Sequence, residues 1–65
     1  MTVTYDRETD TVTITLRDAP IRESDEIKPG VIVDLDAEGR VVGVEILDAS
    51  RTVDNAREMK FTVND

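Results

Sequence analysis

From Thr2 to Arg17 apolar and polar residues alternate around a polar interruption. Val3, Tyr5, Val12, Ile14 and Leu16 fall on one side of a pleated chain, and Thr2, Thr4, Thr11, Thr13, Thr15 and Arg17 on the other. The interruption, Asp6-Arg7-Glu8-Thr9-Asp10, is rich in turn formers. The pattern therefore predicts a β-hairpin with one wet face, in which Tyr5 opposite Val12 sets both apolar rows on the same side.

The stretch Asp18-Ala19-Pro20-Ile21-Arg22-Glu23-Ser24-Asp25-Glu26 follows neither the strand nor the helix period and contains a proline, so it is read as a connection around the sheet edge. Ile21 and Ile27 are expected to anchor its ends. Pro29-Gly30 then leads into Val31-Ile32-Val33-Asp34-Leu35. After the turn Asp36-Ala37-Glu38-Gly39 comes Arg40-Val41-Val42-Gly43-Val44-Glu45-Ile46, completing a second hairpin. With Val33 opposite Val42, the residues Val31, Val33, Val42 and Val44 share a face; a one-residue bulge at Gly39 would shift that register and bring Val41 inward. The other face carries Ile32 and Val41 beside Asp34, Gly43 and Glu45, a partly apolar surface suited to self-association.

Beyond Leu47 the alternation stops, and Asp48 to Met59 is compatible with a helix capped by Asp48 or Thr52, with Leu47, Val53, Ala56 and Met59 as an irregular apolar stripe. Lys60-Phe61-Thr62-Val63 returns to the strand period and predicts a short terminal strand, paired with its own sheet or with a partner's. The fold class is thus mainly β, in the α+β manner: a four-stranded antiparallel meander of two hairpins, a short C-terminal helix over its apolar face, and the terminal strand. No repeat or linker divides residues 1–65, which are read as one domain.

Composition narrows the chemistry. With neither cysteine nor histidine among 65 residues, the chain has no disulfide staple and no ordinary zinc site. So short a chain hides a small fraction of its surface, and a homodimer is the leading expectation. Fifteen acidic against eight basic residues give a formal charge of −7, which disfavours nucleic acid and anionic membranes as direct partners. The first residues, Met1 to Asp6, show neither the basic nor the apolar region of a secretory signal, and no window approaches the roughly 18 apolar residues of a span, so the cytoplasm is the expected compartment.

Catalysis finds no support, and the chain is read as a non-enzyme without a cofactor. The serines, Ser24 and Ser50, lie in no nucleophile elbow, and the glycines, Gly30, Gly39 and Gly43, are too scattered to cradle a phosphate. The sharpest chemical pattern is Asp34-Leu35-Asp36-Ala37-Glu38-Gly39 with Glu45 six residues on, which departs from a calcium-binding loop only at Glu38. Such a loop wraps six to eight hard oxygens around one ion between two helices. Here its flanks are valine-rich strands, so Asp34, Asp36, Glu38 and Glu45 are candidate cation ligands on pattern alone. Asp6, Glu8 and Asp10 read as a solvated turn. Glu23, Asp25 and Glu26 form an acidic patch that could steer a basic protein to the surface. Together with Ile32 and Val41 they are the candidate interaction surface.

Segment order carries one further signal. Tyr5-Asp6 with Asp10 before a strand, then Pro29-Gly30-Val31-Ile32-Val33-Asp34, then Gly39-Arg40-Val41-Val42-Gly43-Val44-Glu45-Ile46-Leu47-Asp48-Ala49-Ser50, resembles the small bacterial domain-of-unknown-function family numbered 2283, over residues 4 to 51. The resemblance implies a small stand-alone protein and supplies no catalytic residue. Some members look like the antitoxin halves of toxin–antitoxin pairs, which implies an alternative role as a binder of a small basic protein. Thr13 and Thr15 depart from the larger or apolar residues common among relatives. Gly30 and Gly39 suit turns and Gly43 a close approach of backbones; Asp48 suits a helix cap, and Glu45 has no assigned role.

Overall fold

In the computed structural model, which describes residues 1–65, the alternating segments form strands, and they form five of them, not four. β1 is Thr2–Asp6, β2 Thr11–Thr15, β3 Glu23–Lys28, β4 Val31–Leu35 and β5 Val41–Ile46; a single helical turn, α1, covers Ala49–Thr52. All pair antiparallel in one sheet of order β1-β2-β5-β4-β3. The first hairpin has the expected register, with Tyr5 opposite Val12.

β3 lies where a connection was expected. Its residues, Glu-Ser-Asp-Glu-Ile-Lys, are all exposed, because it is an edge strand whose charges discourage further pairing. The true connection is Leu16 to Arg22, which crosses the ends of β5 and β4. It is held there by backbone bonds from Leu16 and Arg17 to Val42 O (2.8 and 3.2 Å) and from Arg22 to Leu35 O (2.8 Å). β3, β4 and β5 are thus hairpin-connected while β2 returns to lie beside β5, a Greek-key arrangement in place of a simple meander. Pro29-Gly30 is the turn joining β3 to β4, with Gly30 at φ 81°. Ile21 and Ile27 anchor nothing: they are 54% and 58% exposed, and Ile27 is the residue skipped by an irregularity in the β3–β4 register.

The second hairpin corrects both expected registers. Val33 pairs with Val44, and the bulge falls between Asp34–Gly43 and Leu35–Val41, leaving Val42 as the extra residue. Val42 is buried and Val41 exposed. Pleating then defines two faces. Val3, Tyr5, Val12, Ile14, Val31, Val33, Val44 and Ile46 form the apolar face. Thr2, Thr4, Thr13, Thr15, Ser24, Glu26, Ile32, Asp34, Gly43 and Glu45 form the polar one.

The helix is one turn long because the chain after it has other partners for its backbone. Val53 is already extended (φ −109°, ψ 155°), and Asn55 accepts the Arg57 N–H on its side-chain oxygen (3.0 Å), a local turn that competes with helix. Asp48 occupies the cap position in a left-handed conformation (φ 50°) but makes no side-chain cap bond, and Thr52 ends the turn where a cap would have begun it. The expected terminal strand at Lys60 to Val63 is absent, and those residues are exposed. The segment from Val53 to Met59 lies over the β1, β2 and β5 half of the apolar face, around a gap of about 190 Å³ lined by Val3, Val12, Ile14 and Ile46. Val31, Val33 and Leu35 of β4 and Val44 of β5, which the segment does not cover, are half-buried, as are Val3, Tyr5, Ile14 and Ile46.

Gly43 fixes how closely β5 approaches β2. A Cβ there would stand 2.7 Å from the Ile14 carbonyl oxygen, a backbone atom that cannot swing away. Gly43→Ala should therefore destabilise the fold by about 1–3 kcal/mol, the usual scale for forced overpacking. Urea denaturation read by circular dichroism measures it.

Candidate functional site

The polar face acquires depth because the Leu16 to Arg22 connection stands along it. Arg17, Asp18, Ala19 and Ile21 from the connection, Thr13 and Thr15 from β2, Asp34 from β4 and Glu45 from β5 line a groove of about 340 Å³. Gly43 lies opposite both Thr15 and Asp34, so no side chain from β5 fills the space between them.

Asp34 is 3% exposed, the most buried acid of the chain. Ser24 Oγ donates to its Oδ1 at 2.7 Å from the neighbouring edge strand, and no cation lies within salt-bridge distance. Its second neighbour is the Glu45 carboxyl. A hydrogen bond to Asp34, together with burial and the Asp34 charge, raises the Glu45 pKa above the ordinary value of 4.5. The two carboxyl groups are neighbours in the groove. This gives Glu45 the role that spacing along the chain left open.

The other acids serve the fold. Asp36 accepts the N–H groups of Glu38 and Arg40 on one oxygen (both 2.9 Å) and Arg40 Nε on the other (3.1 Å), with Arg17 at 3.8 Å. The Arg40 N–H, the Glu38 N–H and the Arg40 guanidinium hold its pKa below the ordinary aspartate range despite burial. Glu38 pairs with Arg40 at 2.9 Å. The four candidate cation ligands Asp34, Asp36, Glu38 and Glu45 are thus divided between the groove pair and the arginine-bound turn. No cluster of three or more acids stands ready for a metal ion.

Asp10 does the work expected of Asp48. From the turn of the first hairpin it accepts the Ser50 N–H (3.0 Å), Ser50 Oγ (2.6 Å) and Tyr5 Oη (2.7 Å), and its carbonyl accepts the Ala49 N–H (2.9 Å). It thereby caps α1 across 40 residues of sequence. The Ser50 and Tyr5 hydroxyls lower its pKa, and the same bond to Asp10 raises that of Tyr5.

The candidate interaction residues are dispersed. Glu23 and Asp25 pair with Leu35 and Val33 on the apolar side, whereas Glu26 pairs with Ile32 on the polar side. Ile32 stands beside Glu45, but Val41 pairs with Leu35 and is carried away from the Ile32 face.

A family model described as "Protein of unknown function (DUF2283)" matches residues 2–50 of the 65-residue chain. No curated protein and no solved structure matches it.

The carboxyl groups set opposite pH dependences. Asp10 and Asp36, with lowered values, stabilise the fold above the ordinary 3.8, and that stability is lost as pH falls through their folded values. Glu45, with a raised value, favours the fold below 4.5, and its contribution is lost as pH rises through its folded value. Urea midpoints should therefore be highest near the ordinary carboxyl range and decline on either side. In Glu45→Gln the decline immediately above the carboxyl range should vanish while that on the acid side remains.

Proposed function

We propose a role in protein association for this chain, which belongs to the DUF2283 family of proteins of unknown function. It is a small homodimeric interaction module in which a second copy covers part of the exposed apolar surface. The observation that supports this is its shortage of burial. Only Val12, Val42 and Ala49 are buried apolar residues, and no large side chain is fully enclosed. The accessible surface is 5275 Å², about 1,100 Å² more than the roughly 4,200 Å² of a compact monomer of this size. The radius of gyration, 12.5 Å, likewise exceeds the roughly 11 Å of a compact domain. A standard interface removes about 800 Å² from each partner, so one such contact absorbs most of the excess. Sedimentation equilibrium across micromolar dilutions should return twice the chain mass. A single-chain mass throughout would refute the module.

The groove favours a second reading, a binder of a small basic protein. No lysine or arginine of the chain forms an ion pair with Asp34 or Glu45 in it, and a lysine or arginine side chain of a partner would supply one. In that case Asp34→Asn should weaken capture of a lysine- and arginine-rich peptide at least tenfold in a salt-dependent binding titration, and leave the dimer mass unchanged. Equal binding by both proteins would remove the groove from the account.

A further inference from the structure

The sheet ends in two edges of different construction. β3 carries Glu23, Asp25, Glu26 and Lys28 and an irregular register, devices that keep other strands away. β1 is far less defended: its single charge, Asp6, is at its end, Thr2-Val3-Thr4-Tyr5 are uncharged, and the strand contains no proline and pairs with β2 without a register shift, so the outer side of β1 presents a regular row of unpaired backbone groups. In a chain of charge −7, which repels its own copies, this is a strand where two copies can meet without like charges facing each other.

We infer that β1 is the seam of the homodimer: two β1 edges pair antiparallel about a two-fold axis at Thr4, joining two five-stranded sheets into one of ten. The inference rests on the dimeric reading above and names its surface. The strand is self-complementary in this register. Thr4 faces Thr4 of the partner subunit, and Val3 faces Tyr5 of the partner subunit. Every apolar residue of the seam then falls on the apolar face and every threonine on the polar one. Registers one residue away mix the faces, and two-fold registers centred elsewhere leave part of β1 unpaired. Threonine pairs and aromatic–valine pairs are favourable cross-strand neighbours.

A separate observation points to the same edge. Ala56 and Met59 lie against Val3 and Tyr5, so the C-terminal segment arrives at the β1 rim. Met59 is 60% exposed there. A two-fold axis at Thr4 brings the Met59 side chains of both copies toward the seam, where they can be buried. The open half of the apolar face, around Val33 and Val44, lies on the far side of each subunit.

Thr4 is exposed, so substitutions there leave the isolated fold intact, as circular dichroism would confirm. Thr4→Lys and Thr4→Glu, each placing like charges opposite one another, should each weaken the dimer at least tenfold by sedimentation equilibrium, and an equimolar mixture of the two should restore it. The natural chain has no cysteine. Thr4→Cys should accordingly form a disulfide-linked dimer under mild oxidation, whereas Thr13→Cys, one strand inward, should not. A dimer indifferent to Thr4→Lys, with Thr4→Cys uncrosslinked, would overturn the seam and leave the dimeric reading standing. A chain that is monomeric in its natural form would overturn both.

Discussion

β5 can sit between β2 and β4 only because Gly43 lacks a side chain, and the rest of the fold depends on that close approach. The Ile14 carbonyl occupies the space a Cβ would need. With β5 in place, Val42 O can receive the Leu16 and Arg17 amides, which directs the crossover toward β3. The same missing side chain leaves room on the polar face, where the crossover stands off the sheet and the groove opens. One glycine therefore links strand order, the crossover path and the groove lined by Asp34 and Glu45.

Features set by short-range pattern were legible in the sequence. The first hairpin and its register follow from strict alternation on both sides of a polar turn, and Val31 to Leu35 and Val41 to Ile46 are strands because β-branched residues dominate them. β3 escaped because this edge strand buries neither of its faces. Its charged composition, read as a loop, is a device against aggregation, and its pairing comes from the Pro29-Gly30 turn and from β4. The bulge displaced Val41 and Val42 for a comparable reason: alternation is blind to one extra residue accommodated by twist.

The chemistry was less legible, because each informative contact joins distant segments. Asp48 has the right identity and position for a cap, yet Asp10, forty residues away, supplies the bond. Asp34, Asp36, Glu38 and Glu45 looked like one ligand set along the chain, but the pleat and the bulge sort them into different environments. Asp36 and Glu38 meet arginines, while Asp34 and Glu45 meet each other. Spacing suited to a helix-flanked loop has no such meaning once the residues lie on two strands.

That sorting bears on what the fold is for. Asp34, a buried acid without an ion-pair partner, is a poor stabiliser, since a well-packed apolar residue in the same place generally does better. In a domain with three buried apolar side chains such a cost is a large part of the balance. The arginines that could neutralise Asp34 are engaged elsewhere: Arg40 with Asp36 and Glu38, and Arg17 beside Asp36. The sheet thus divides its two faces between different tasks. Its apolar face supplies what core the chain has, and its polar face holds a groove in which Asp34 and Glu45 form no ion pair.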